Sequence, residues 1–247
     1  FLLKACTGGY DGKGNYVVKN ADDSENAYKA LGSGSLPLMA EKFFPFTMEI
    51  SVLACRGIHG EIEVYPVAEN YHVDNILFET KVPAAISAQT TKNAMELAKK
   101  VMEVFEGVGM FCVEMFVDKD GNVAINEVAP RPHNSGHYSI EACVTSQFEQ
   151  HIRAVSGLPL GSAKLMTPVS MINILGEAGY SGKAIVKGAD ECLKLKGVTL
   201  HIYGKEETKP KRKMGHITAI GKTIDEASMV AKQAFKSVKI IGENRIN

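Results

Sequence analysis

Two apolar runs, Phe111-Cys112-Val113-Glu114-Met115-Phe116-Val117 and Val123-Ala124-Ile125-Asn126-Glu127-Val128, flank Asp118-Lys119-Asp120-Gly121. An Asp-Gly step between short apolar runs is a strong hairpin signal, because glycine takes the positive φ that the turn requires. Each run also carries a glutamate, and a carboxylate in a buried strand is costly unless it is paired or bound to a metal. The fold must therefore give both glutamates a partner. Two carboxylates and the amide oxygen of Asn126 are hard donors suited to Mg²⁺ shared with phosphate oxygens. A three-residue turn at Lys119–Gly121 predicts Glu114 opposite Asn126. Strict alternation then turns Glu127 to the other face, so its use as a ligand requires a bulge or a strand end. Two solvent-facing glutamates on an edge hairpin are the competing reading.

The residues after the hairpin are Ala129-Pro130-Arg131-Pro132-His133-Asn134-Ser135-Gly136-His137. Proline on both sides of Arg131 stiffens this segment. A guanidinium, an imidazole, an amide and a hydroxyl follow within five positions, a polar density suited to a substrate site on a rigid loop. Four-residue spacing aligns His133 and His137 only on a helix. The prolines forbid one, which argues against zinc.

Near the start, Thr7-Gly8-Gly9-Tyr10-Asp11-Gly12-Lys13-Gly14 separates two short apolar segments. Glycines permit close backbone approach, so successive N–H groups can converge on a phosphate. The run is not a Walker A loop: Thr7 stands where that motif needs glycine, Gly14 where it needs Ser or Thr, and a strand follows instead of a helix. A hairpin tip is the alternative.

Periodicity predicts helices over 22–31, 91–106, 146–156 and 224–238, with Gly107 and Gly157 as stops and Ser146/Glu149 and Thr223/Glu226 as capping boxes. Strands are expected at 1–4, 15–18, 37–41, 48–56, 61–67, 110–117, 122–128, 170–175, 198–203 and 216–220. The class is α+β with mostly antiparallel strands and segregated helices. A boundary near residue 165 separates domain 1–165 from a small β-rich domain, 166–247. Lys plus Arg equals Asp plus Glu at 28 each, which argues against a nucleic-acid partner. No apolar run reaches the length of a membrane span. Five scattered cysteines fit reduced thiols in a cytosolic protein better than a disulfide framework.

The glycine-rich run, Glu114, the segment Ile125–His137 and Arg212-Lys213-Met214-Gly215-His216 stand in that order. Together they resemble the 5-(carboxyamino)imidazole ribonucleotide synthases, the ATPase part of phosphoribosylaminoimidazole carboxylase. The resemblance implies an ATP-grasp fold and ATP-dependent carboxylation of 5-aminoimidazole ribonucleotide with bicarbonate. It implies phosphate contacts from Lys4 and Gly9, Tyr10, Asp11, Gly12, Lys13, Gly14 and Asn15. Glu41 and the hinge Lys42-Phe43-Phe44 would hold adenine, Glu49 the ribose, and His72 would also contact ATP. Glu114 and Glu127 would hold Mg²⁺, with Asn126 beside them. Tyr10, Asp11, Lys13, Arg131, His133, Asn134, Lys205 and Arg212 would surround the ribonucleotide, with Arg131, His133 and Asn134 nearest the chemistry. Lys205 is expected to end a strand, with Arg212 brought beside it across a turn at 206–211.

The resemblance further implies a cytoplasmic homodimer, fused to or working with a downstream mutase-type carboxylase. Lys13 departs from the Arg common in the family. Phe1-Leu2-Leu3-Lys4 reads as a strand entered midway, so an N-terminal nucleotide-fold domain is expected to precede it. A formate-using glycinamide ribonucleotide transformylase would share the glycine loop and the carboxylates but not Arg131–His137. A catalytically silent nucleotide-binding remnant is the remaining alternative.

Overall fold

The computed structural model describes residues 1–8 and 14–246, which form two compact units. The first comprises Phe1–Phe46 and His72–Ile76. In it β1 (Leu2–Ala5) lies between β2 (Asn15–Val17) and β3 (Leu38–Glu41), and α1 (Asp23–Ala30) follows β2. Both pairings are antiparallel, with Lys4 opposite Asn15 and Met39.

The second unit comprises Thr47–Tyr71 and Leu77–Asn247. Its first strands are β4 (Phe46–Arg56), β5 (Ile62–Val64), β6 (Ala68–Val73) and β7 (Ile76–Val82). Helix α2 (Ala88–Phe105) then leads into β8 (Gly109–Asp118) and β9 (Val123–Ala129). After a 3-10 turn at Asn134–Gly136 come α3 (Ser139–Ala142) and α4 (Gln147–Val155). The remainder is β10 (Val169–Leu175), β11 (Tyr180–Lys187), α5 (Ala189–Leu193), β12 (Val198–Ile202), β13 (Glu207–Thr208), β14 (Lys213–Ile220), α6 (Ile224–Ser237) and β15 (Lys239–Arg245). One sheet runs in the order β12-β14-β10-β7-β6-β4-β8-β9, with β5 paired to β4, and a smaller sheet runs β13-β11-β15.

The pleat explains how the large sheet is buried on both faces. Ile50, Val52, Val113, Met115 and Val117 point to one side, where Ala94, Ala98 and Val101 of α2 cover them. Leu53, Cys55, Met110 and Cys112 point to the other, packed by Ala129, Tyr138, Ala142, Ala154 and Ala163. The segment after the hairpin thus lies on the face to which Cys112, and two residues on Glu114, belongs. A third cluster joins Ile174, Met214 and Ile217 to Ala234, Val238 and Ile240.

Helices α4 and α6 begin where the caps predict, with Ser146 accepting from Glu149 N and Thr223 from Glu226 N. Helix α2 differs. It starts at Ala88, because Ser87 is the N-cap and accepts from Thr90 N, and it ends on Glu106 at φ 53° instead of on Gly107. Periodicity also gives no sign of β6, β7, β11 or β15. The lone cap under α2 makes Ser87→Ala worth about 1 kcal/mol of destabilisation, measured by urea denaturation. An unchanged midpoint would show that the cap contributes nothing.

Candidate functional site

Within the first unit, Lys4 Nζ pairs with Glu41 Oε2 at 2.7 Å. Gly14 has φ 91° and its carbonyl accepts from Ala5 N, so it closes the loop against β1 while Asn15 begins β2. Lys42 and Phe43 are exposed after β3, Phe44 is half-buried, and His72 lies near the end of β6. Gly9, Tyr10, Asp11, Gly12 and Lys13 lie outside the described residues.

In the second unit the hairpin turn is built by Asp118. Its Oδ1 accepts from Asp120 N and Asn122 N, and its Oδ2 from Asn122 Nδ2, all at 2.9 Å. The side-chain hydrogen bond from Asn122 leads in holding this carboxyl below its usual range. Up to Met115↔Ile125 the register is the expected one, but Glu114 pairs with Glu127 instead of Asn126. The bulge between them leaves Asn126 as the extra residue and returns Glu127 to the face of Glu114. Apolar burial explains the slip: Val123 and Val128 both pack on the α2 side, and only an inserted residue puts an odd and an even position on one face.

The outcome is two carboxylates facing one another with Glu49 of β4 nearby. Burial first, then the hydrogen bond and charge of Glu127 and the charge of Glu49, push the Glu114 carboxyl up to about 8, with Lys213 opposing. No group of three or more His, Cys, Asp or Glu suited to a metal occurs among the described residues. The donors present are a carboxylate pair on one strand pairing.

The loop beyond is fixed from below. Gln147 Oε1 accepts from His133 N at 2.9 Å while its Nε2 donates to His133 O at 2.8 Å and meets His137 Nδ1 at 3.1 Å. Asn134 and Asn173 exchange amide hydrogen bonds of 2.9 and 2.6 Å, and Asn173 Nδ2 also donates to Leu77 O. A Cβ on Gly136 would lie 2.5 Å from Gln147 Oε1 and 2.6 Å from Leu53 Cδ1, so a larger residue would displace the amide that grips His133 or the Leu53 side chain. His133 Nε2 lies 3.9 Å from Glu114 Oε2. Arg131 is exposed, its Nη1 donating to Pro132 O. His133 and His137 turn to different partners, Ser135 and Gln147, as a loop without helical spacing requires.

His137 also enters a ring stack, 4.7 Å from His216, which lies 4.3 Å from His201. Burial and the neighbouring rings lower His216 to about 2, and burial, His201 and Lys213 lower His137 to about 4.

Lys205 does not end a strand: β12 stops at Ile202, and Glu207–Thr208 leave the expected turn to pair with β11. That departure still gathers Lys205, Arg212 and Lys213. Lys205 Nζ donates to Lys213 O and Arg212 Nη1 to Glu207 O. Burial, then the charges of Arg212 and Lys213, lower the Lys205 ammonium. Sequence reasoning did not single out Gln147, Asn173, Ser51 or Asn70. The signal available for Ser51 and Asn173 was a polar residue inside an apolar strand.

The ATP-grasp domain model matches residues 1–148, and the chain belongs to the ATP-grasp family. The phosphoribosylaminoimidazole carboxylase C-terminal domain model matches residues 169–229. The N5-carboxyaminoimidazole ribonucleotide synthase of Bacillus subtilis (strain 168) is 47% identical over 226 residues, 91% of this chain and 57% of that protein. The N5-carboxyaminoimidazole ribonucleotide synthetase of Thermotoga maritima superposes with TM-score 0.86 at 46% identity, covering 98% of this chain and 62% of its own. An Aspergillus clavatus N5-carboxyaminoimidazole synthase, solved with ADP and 5-aminoimidazole ribonucleotide, gives 0.85 at 36% identity, covering 96% and 61%. The chain thus spans somewhat over half the length of these relatives. No helix among the described residues is long and apolar enough to cross a membrane.

Glu114, the more buried of the two carboxylates, sets a pH dependence with a definite sign. Glu114 holds its proton to about pH 8 when folded but would lose it near 4.5 when unfolded. Metal-free stability should therefore fall as pH rises from about 4.5 to about 8. Histidine burial acts oppositely, below about 6.5. Glu114→Gln should flatten the upper limb and be the more stable protein at pH 8, by urea denaturation in EDTA. Parallel pH curves would show that the pair is not coupled.

Proposed function

We propose that the protein carrying this chain joins bicarbonate to 5-aminoimidazole ribonucleotide at the expense of ATP, giving 5-(carboxyamino)imidazole ribonucleotide, ADP and phosphate. The observation that carries this reading is the bulge that turns Glu127 to the face of Glu114, beside the loop that Gln147 and Asn173 anchor. The names of the relatives support the substrate, and the chemistry of the donors fits the rest. Two carboxylates that repel one another form a seat for a hard divalent cation whose remaining ligands are phosphate oxygens and water. Glu114 and Glu127 would hold Mg²⁺, with Asn126 beside them, and the ion supplies charge neutralisation for phosphoryl transfer.

In the first step a bicarbonate oxygen attacks the γ-phosphorus and ADP leaves, forming carboxyphosphate. In the second the exocyclic amine takes the carboxyl group, phosphate leaves, and the proton the amine sheds passes to the departing phosphate. Lys4 and the glycine-rich loop, including Gly14 and Asn15, hold the ATP phosphates. Glu41, Lys42, Phe43, Phe44, Glu49 and His72 hold the nucleoside. The Lys4–Glu41 pair must then part, each residue exchanging its partner for nucleotide. Arg131, His133 and Asn134 face the ribonucleotide, and Lys205 and Arg212 take its 5′-phosphate. That burial, and then the charges of Arg212 and Lys213, lower the Lys205 ammonium supports an anion seat there. The division near residue 165 then separates sequence modules that share one sheet, since β10 and β14 complete the sheet of β4 and β8. The protein works as a cytoplasmic homodimer, and its carbamate product passes to a mutase-type carboxylase.

ATP hydrolysis should require bicarbonate and aminoimidazole ribonucleotide together, and Glu127→Ala should abolish it with the melting curve intact. Turnover with formate and glycinamide ribonucleotide would instead favour the sister ligase, and full hydrolysis by the variant would remove the metal assignment. Losing one charge-assisted hydrogen bond costs about 1.5–3 kcal/mol. Arg212→Ala should accordingly raise KM for the ribonucleotide roughly tenfold to a hundredfold, with KM for ATP unmoved. No change in either constant would place the 5′-phosphate elsewhere.

A further inference from the structure

Beneath the loop, four buried polar side chains form a line that ends at His133. Thr80 of β7, Asn70 of β6 and Ser51 of β4 stand on adjacent strands, and Ser135 lies in the 3-10 turn above them. Their exposures are 0, 6, 2 and 1%, so solvent offers them no alternative partners. Thr80 Oγ1 donates to Asn70 Oδ1, Asn70 Nδ2 to Ser51 Oγ, and Ser51 Oγ to Ser135 Oγ, each at 2.9 Å. Ser135 Oγ then lies 2.9 Å from His133 Nδ1.

The direction of this line is set at its end. Ser135 N donates to His133 Nδ1 at 3.3 Å. A backbone amide can only donate, so Nδ1 must present its lone pair. A neutral imidazole that accepts at Nδ1 carries its proton on Nε2. Ser135 Oγ already accepts from Ser51, and with Nδ1 at 2.9 Å against the weakly accepting Cys112 Sγ at 3.6 Å its own proton goes to Nδ1. Every donor in the line points toward the imidazole, and Nε2 is the nitrogen that faces Glu114 Oε2 at 3.9 Å.

We propose that Thr80, Asn70, Ser51 and Ser135 are positioning residues, a buried relay that holds His133 in its Nε2–H tautomer. The relay delivers an N–H donor, not a lone pair, to the carboxylate face of the site. The catalytic value of that donor rests on the function proposed above, whereas the tautomer does not.

The test separates the two. The whole protein labelled with 15N-histidine is observed at pH 8 by long-range proton–nitrogen correlation, with His133 assigned through its loss in His133→Gln. His133 Nδ1 should resonate as an unprotonated acceptor and Nε2 as a protonated nitrogen. Ser135→Ala removes the 2.9 Å hydroxyl donor and leaves only the longer 3.3 Å backbone N–H, so it should shift Nδ1 and let a fraction of the Nδ1–H form appear. Ser51→Ala should do so more weakly, and carries the same test if Ser135→Ala fails to fold. In either variant kcat should fall about tenfold to a hundredfold, as for other removed orienting partners, with KM for ATP within about twofold. Wild-type His133 protonated at Nδ1 or on both nitrogens, or a tautomer that neither substitution moves, overturns the relay and leaves the proposed function standing. A tautomer that moves while kcat holds supports the relay and overturns the role given to His133 in the reaction.

Discussion

Two carboxylates placed opposite each other on neighbouring strands repel, and a sheet left to itself would slip by one residue to separate them. Here the slip runs the other way. Strict alternation from the Asp118 turn would have sent Glu127 to the α2 side, into the cluster that holds Val113, Val123 and Val128. Ejecting Asn126 from the ladder keeps that cluster apolar and sets Glu127 against Glu114. The carboxylate pair is thus a consequence of apolar packing on the far face of the same strand. Removing the bulge would bury a charge among valines, a larger cost than the repulsion it relieves.

The pair constrains what lies above it. A site that concentrates negative charge needs its other groups held still, because a carboxylate-facing imidazole gains nothing if its ring can turn over. The loop from Pro130 to His137 has little secondary structure of its own beyond one 3-10 turn, so its rigidity is borrowed. Gln147 grips the backbone of His133 on both sides, Asn173 grips Asn134, and Ser135 is tied through Ser51 to the centre of the sheet. These anchors come from α4, β10 and β4, elements far apart in the chain. The phosphoryl transfer proposed above would ask mainly for positioning and charge neutralisation, and the fold spends its buried polar groups on the first.

What the sequence made legible follows from the range of each interaction. The Asp118 turn and the caps of α4 and α6 are settled within four residues, and they stand where the pattern put them. Glu114 and Glu127 were legible as carboxylates in apolar strands. Their mutual register was not, because it depends on which of Ile125, Glu127 and Val128 packs against α2. Ser51 and Asn173 carried the same local signal as Glu114, a polar residue between aliphatic ones. Their partners Ser135 and Asn134 lie 84 and 39 positions away, and no spacing rule reaches that far. Helix α2 shows a local failure: Ser87 and Thr90 read as loop, yet Ser87 accepts the Thr90 amide and starts the helix a turn earlier. β11 and β15 each carry several exposed residues, so alternation is weak where only one face is covered.

Around the loop two kinds of buried titratable group are biased in the same sense, toward their uncharged forms. His137 stays neutral down to about 4 and His216 to about 2, since burial and the other rings of the stack oppose a positive charge. Glu114 stays protonated up to about 8, since burial and Glu127 oppose a second negative charge. Between those limits a change of pH does little to the charge of any of the three. What can change it near neutrality is a cation seated between the carboxylates, which removes the reason for Glu114 to keep its proton. The Nε2 nitrogen of His133 faces that same carboxylate, so the arrival of a cation would alter its nearest electrostatic neighbour while the relay beneath holds the ring in place. Under the proposed function, occupancy by that cation would decide the charge of the site more than acidity does.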